Sequence, residues 1–122
     1  MEKYLVAFTV KSKELFEEKV GKIKDWDGKG PLYFNGRYYG ELSGDISKAK
    51  LYSKRSDAED RLRSVINYRM NWGNPFQQAF VQRVKQAIKV EENVTVKDVD
   101  KTIEEIKFQR EVWKAQKENQ IK

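Results

Sequence analysis

Between positions 61 and 90 the chain carries Arg61, Arg63, Arg69, Arg83, Lys85 and Lys89 and not one acidic residue. Guanidinium groups suit bidentate contact with phosphate or carboxylate, and lysine adds mobile point charge. Arg55 lies just ahead of this run, and Tyr68 and Trp72 lie within it. An aromatic ring beside a guanidinium can stack on a base while the cation holds the backbone. Asn67-Tyr68-Arg69-Met70-Asn71-Trp72-Gly73-Asn74 concentrates these residue types at a corner between two expected helices, and an Asn74-capped helix N-terminus could itself receive an anion. The charge map agrees: residues 46–90 hold ten bases against three acids (Asp57, Glu59 and Asp60). Residues 1–45 hold eight of each, and residues 91–122 hold seven bases and eight acids. Such a block attracts nucleic acid, a nucleotide or an acidic protein. The ordinary alternative is that it balances acids elsewhere in the same fold.

A second candidate surface is aromatic. Trp26, Tyr33, Phe34, Arg37, Tyr38 and Tyr39 are interleaved with Gly28, Gly30, Gly36 and Gly40. Exposed aromatics beside an arginine stack on bases or anchor an interface. A hairpin turns about half its side chains inward, so only some of the six are free. Arg37 and Tyr38, at the expected turn, are the two chosen as binding residues.

Other chemistry is thinly supported. The chain has no histidine and no cysteine, which removes a Ser-His-Asp triad, a thiolate nucleophile and a His/Cys zinc site. Carboxylate acid–base work, magnesium on Asp and Glu, and lysine chemistry remain, but each needs a convergent cluster. Asp25 and Asp27 make a poor cation site without further oxygen ligands, and no metal site is expected. Asp25, Asp27 and Glu41 are the only candidates for a general base. Gly28-Lys29-Gly30 lacks any phosphate-loop or dinucleotide continuation and reads as a turn, so no cofactor is expected. The expectation is a binder, not an enzyme.

The elements that must position these residues follow from periodicity. With 122 residues the chain has room for one domain, 1–122, expected to be mainly sheet plus one short helix over 1–55 and helical over 56–122. Tyr4 to Val10 alternates as a strand with Tyr4, Val6, Phe8 and Val10 on one face. Ser12 is placed to cap a helix to Lys22 bearing Phe16, Val20 and Ile23. Asp25 to Pro31 is turn-rich. Asn35-Gly36 between aromatic β-formers predicts a type I′ hairpin, and Ala49 to Tyr52 a further short strand. Ser56-Asp57-Ala58-Glu59 has the form of a capping box, starting a helix from Asp57 to about Met70 with Ala58, Leu62, Val65, Ile66 and Met70 on one arc. Asn74-Pro75 is then expected to open another helix, with Phe76, Phe80, Val81, Val84 and Ile88 as its stripe. Thr95-Val96-Lys97-Asp98 begins the last, to about Gln120. That helix is apolar on two sides: Val96, Val99, Ile103, Ile106 and Trp113, interrupted by Arg110, and opposite them Phe108 and Val112. A second apolar side needs a second thing to pack against, so Phe108 and Val112 are candidate interface residues, to a partner or in a homo-oligomer. No internal repeat or low-complexity linker is apparent. The fold class is α+β: a small antiparallel sheet with an aromatic hairpin, packed against about three C-terminal helices.

The stretch Asp45-Ile46-Ser47-Lys48-Ala49-Lys50-Leu51-Tyr52-Ser53-Lys54-Arg55-Ser56-Asp57-Ala58-Glu59 resembles a pattern found in small accessory proteins of Gram-positive phages and mobile elements. There a sheet edge runs through Ala-Lys-x-Tyr/Phe into a capped helix with an early alanine. The likeness covers residues 32–62 and is structural: Ala49 and Tyr52 pack and Ser56 caps. It carries over no functional residue. What it implies is a protein that inhibits a host defence system, such as a CRISPR nuclease complex, by engaging a host protein or nucleoprotein complex in the host cytoplasm. Absence of a signal peptide and of an apolar run near 20 residues fits that location. Two other readings stay open: an oligomeric sponge that buries a cyclic nucleotide second messenger between arginines and aromatics, and a small DNA- or RNA-binding regulator.

Overall fold

A computed structural model describes residues 2–37, 41–85 and 89–120. The element order is β1 (Lys3–Val10), α1 (Lys13–Lys19), β2 (Leu32–Phe34), β3 (Leu42–Ser43), a 3-10 turn (Ile46–Lys48), α2 (Arg55–Trp72), β4 (Phe76–Lys85), β5 (Lys89–Asp98) and α3 (Val99–Gln120). The strands form one antiparallel sheet in the order β3-β2-β1-β4-β5. The α+β class, the antiparallel sheet and a set of three helices hold; their distribution along the chain differs from the expectation.

Alternation along β1 divides the interior in two. Val6 and Phe8 point into the main core with Phe16 of α1, Ala58, Leu62, Val65 and Ile66 of α2, and Val99, Ile103 and Ile106 of α3. Tyr4 and Val10 pack against the same cluster. Leu5 and Ala7 face the other way, onto Val84, Tyr33, Phe80, Ile46 and Ala49. All three helices therefore lie on one face, and the segment around the 3-10 turn covers part of the other. Ser12 caps α1 as expected, its side chain accepting from Leu15 N at 3.1 Å, but the helix stops at Lys19 instead of Lys22.

The largest departure is at 75–90. The expected helix is a strand: Phe76 to Lys85 pairs with β1 from Lys3↔Val84 to Val10↔Phe76, and with β5 on its other side. Residues 56–122 are thus not wholly helical. Asn74 caps no helix; its side chain brackets Phe76, accepting from Phe76 N at 2.9 Å and donating to Phe76 O at 3.0 Å. The misreading has a physical cause. A strand between two others is buried on both faces, with Phe76, Ala79 and Val81 in the main core and Phe80 and Val84 on the far side. Its apolar residues then lose strict alternation and imitate a helical stripe.

Smaller corrections share one theme, tertiary bonds overriding local signals. The β2–β3 hairpin exists, pairing Tyr33 with Ser43 and Phe34 with Leu42, but a seven-residue span from Asn35 to Glu41 joins its strands instead of a two-residue turn. Gly36 does take a positive φ of 86°. Tyr38, Tyr39 and Ile88 lie outside the described residues. Ala49 to Tyr52 makes only one bridge, Tyr52 to Tyr4. Helix α2 starts at Arg55 with Lys54 as its N-cap residue, so Ser56 sits inside the first turn and does not cap. Arg55 draws the start forward by donating to Val94 O and Thr95 Oγ1 on β5 and to Glu59 Oε1 at 2.8 Å. Helix α3 begins at Val99, leaving Thr95 to Asp98 in β5; the Asp98 carboxylate accepts from Lys101 N at 3.0 Å.

Asp25 ties the hairpin down. It accepts from Ser43 Oγ and from Gly44 N, and Lys48 Nζ lies 3.2 Å away. The Ser43 bond foremost, then the Gly44 amide, holds its carboxyl at about 2, below the usual 3.8. A carboxylate held below its unfolded value stabilises the fold above pH 4 and loses that contribution as the pH falls toward 2. Asp25→Asn is therefore expected to lower stability by about 1–2 kcal/mol at pH 7. Urea midpoints for the two proteins should converge near pH 2; equal midpoints at pH 7 would refute this role.

Candidate functional site

The sheet separates the residues that the charge run groups together. Arg37 sits at the β2–β3 end, where its backbone N–H donates to Asn35 Oδ1 and its side chain shares a cavity with Lys24, Asp25, Glu41 and Lys48. Arg83, Lys85 and Lys89 lie on β4 and β5, at the opposite edge. Four strand spacings, about 19 Å, lie between β3 and β5. The cationic block is thus not one surface.

Much of it is also neutralised. Arg83 pairs with Glu92, with Glu91 at 3.3 Å and with Glu2 at 3.9 Å, and Lys85 reaches Glu91 at 3.7 Å. The β4–β5 hairpin folds the acids at 91 and 92 directly back onto the bases at 83 and 85. Arg55 is spent on Glu59 and β5. Arg61 lies 5.3 Å over the buried Phe34 ring and bonds Tyr52, closing the core rather than facing a ligand.

What remains lies on α2. On one flank, the Arg69 guanidinium lies 4.7 Å from the Tyr68 ring centroid, and Tyr68 and Trp72 are 6.3 Å apart. Partial burial pushes the Arg69 guanidinium down from its usual pKa. Three of the expected residues therefore form one aromatic–cation ledge, with Trp72 66% exposed.

On the flank toward α3 lies a groove of about 240 Å³ lined by Arg63, Asn67, Ile106, Gln109, Arg110 and Trp113. Arg63 and Asn67 are one turn apart on α2, and Ile106, Arg110 and Trp113 follow at helical spacing on α3. Arg63 Nη2 lies 3.5 Å from Gln109 Oε1, at the limit of a hydrogen bond. Lys117 Nζ lies 4.8 Å from the Trp113 ring centroid, while the indole is 63% exposed. Asn67 Oδ1 is buried without a hydrogen-bond partner among the described residues. No carboxylate lines this groove, and neither Arg63 nor Arg110 makes an ion pair among the described residues. The adjoining hollow toward β5, which shares Arg63, Ile106 and Gln109, is of mixed charge, with Glu59, Asp60 and Glu105 beside Lys97, and with Glu59 paired to Arg55. The Trp113 end, with two arginines and no carboxylate, is the end that favours an anion.

Of the groove residues, only Arg63 belongs to the expected binding set. Arg110 was visible in the sequence as a charge interrupting the apolar stripe of the last helix. Trp113 was expected to pack along that stripe, yet α3 outruns the core after Ile106 and leaves it in solvent. Val96 likewise lies on β5, 51% exposed, and takes no part in the helix. Among the described residues no group of acidic side chains is arranged to hold a metal ion, and no helix is long and apolar enough to cross a membrane. Comparison with family models, with curated proteins and with solved structures finds no match for this chain.

Proposed function

We propose that the protein is a non-catalytic binder of the phage type, which engages a nucleic-acid-bearing host complex through the α2–α3 groove and so inhibits it. The observation that carries this is the groove's composition: two arginines that make no ion pair among the described residues, an exposed indole and two amides, with no carboxylate. Arginines hold phosphates, an indole face stacks on any base, and amide side chains reach base edges. The groove is open and, at about 240 Å³, below the roughly 300–1,000 Å³ of enclosed ligand sites. That shape suits a passing single strand better than a swallowed nucleotide. The resemblance of residues 45–59 to phage accessory proteins supports the biological setting.

The test uses single-stranded oligonucleotides as the probe, with binding followed by tryptophan fluorescence. Contact with two or three phosphates gives a slope of log affinity against log salt of about −1.4 to −2.1. Trp113→Ala is expected to weaken binding roughly 5- to 150-fold, the equivalent of one stacked base. Absence of binding to any single strand at low salt, or affinity indifferent to salt, would overturn the reading.

A further inference from the structure

The hollow beside the arginine groove has a volume of about 230 Å³ and lies between α2, α3 and β5. Arg63, Ile106 and Gln109 line both spaces, so the two are continuous. Its apolar side is made by Leu62, Ile66 and Ile106, which are 3%, 0% and 6% exposed. Several of the polar groups around it are already engaged. Glu59 is bound to Arg55 at 2.8 Å, Thr95 Oγ1 accepts from Arg55 at 3.2 Å, and Thr102 Oγ1 donates to Asp98 O at 2.8 Å. That leaves the Asp60 carboxylate of α2, the Glu105 carboxylate of α3 and the Lys97 ammonium of β5. None of the three makes an ion pair among the described residues. Phe108 and Val112, 66% and 40% exposed, line neither space, so the continuous site belongs to the flank of α3 that faces α2.

These features restrict what can enter. A second phosphate gains little beside two carboxylates. The volume is below the roughly 300–1,000 Å³ of sites for drug-sized ligands, which leaves room for a single heterocycle. An apolar wall accepts a ring face, carboxylates accept from N–H groups, and an ammonium needs an acceptor.

Resting on the single-strand reading above, we propose that the base next to the one stacked on Trp113 enters this hollow, and that the hollow selects guanine. The phosphate stays with Arg63 and Arg110 while the base is splayed off the strand and read on its edges. Guanine carries N1–H and the N2 amino group side by side, with O6 and N7 as acceptors further round the ring. It therefore offers donors to both carboxylates and an acceptor to the lysine, the groups that pair with carboxylate and with ammonium elsewhere in base readout. Adenine and cytosine have one amino group each, next to a ring nitrogen whose lone pair faces a carboxylate unfavourably. Thymine and uracil have a single N–H between two carbonyls. A base that leaves either carboxylate desolvated and without a donor loses more than the missing bond alone.

The test measures fluorescence anisotropy of end-labelled oligothymidines with the full-length protein. The strands are all-thymine or carry one central guanine, adenine or hypoxanthine. The guanine strand is expected to bind about 10-fold tighter than the adenine strand, and hypoxanthine, which lacks the N2 amino group, to fall between them. Asp60→Asn combined with Glu105→Gln should reduce the guanine-to-adenine ratio to within about 2-fold, because neutral amides are weaker acceptors than carboxylates. Trp113→Ala should weaken every strand and keep the ratio, since stacking does not distinguish the two purines by their edges. Equal affinity for guanine and adenine strands overturns the guanine site while leaving the groove as a single-strand binder. So does a ratio that survives the double replacement or disappears with Trp113→Ala. Failure to bind any of the strands at low salt overturns the groove reading and this inference together.

Discussion

Phe76→Ala is expected to destabilise the protein by about 3–5 kcal/mol, lowering the thermal midpoint by roughly 10–20 °C. The ring is 1% exposed and joins three elements. It stacks on Phe8 of β1 at 4.5 Å between centroids and lies 6.1 Å from Phe16 of α1, which in turn meets Trp26 edge-on at 5.2 Å. Truncation leaves a cavity where the start of β4, the end of β1 and α1 converge, and a domain with 5–15 kcal/mol in total feels that strongly. Phe108→Ala is the control: an aromatic truncation of the same size at an exposed site, expected to stay within about 0.5 kcal/mol in dilute solution. Melting curves by circular dichroism distinguish the two. Similar losses at 76 and 108 would mean that α3 packs against the body along its whole length.

These two phenylalanines also mark what the sequence could and could not reveal. Phe8 was legible as core because β1 alternates cleanly, and Ala58, Leu62, Val65 and Ile66 because α2 presents one stripe to one face. Phe76 was legible as apolar but not as strand, since β4 contributes side chains to both faces and its pattern fits a helix equally well. Only the pairing with β1 and β5 decides between the two, and pairing is a property of distant residues. The same step misled the charge map. Density along the chain becomes density in space on a single helix, but a hairpin sets residues nine apart side by side. Arg83 therefore meets Glu92 rather than solvent. On α2, where the expected helix exists, Arg63, Tyr68, Arg69 and Trp72 remain at the surface or partly so. Arg110 and Trp113 were hidden for a different reason: an apolar stripe tells which side of a helix faces inward, not where the body beneath it ends.

Replacing Arg63 and Arg110 together by glutamate is expected to abolish single-strand binding, a loss of more than 100-fold at low salt. The two guanidinium groups are contributed by different helices to one groove, so a phosphate between them gains from both at once. Reversal removes two attractions and installs two repulsions in the same groove. At an exposed groove each charge interaction is screened to about 1 kcal/mol, so two attractions lost and two repulsions gained together amount to about 4 kcal/mol, above the roughly 1–3 kcal/mol of stacking on Trp113. Fold stability should change little, because neither arginine makes an ion pair among the described residues; Arg63 gives up only the long contact to Gln109. The comparison variant is Arg83→Glu with Lys85→Glu, the same reversal on the β4–β5 edge. If the groove is the site, that variant loses stability through Glu91 and Glu92 but keeps the salt-dependent slope. If instead the β4–β5 pair abolishes binding and the α2–α3 pair does not, the site lies on the sheet edge and the groove assignment falls.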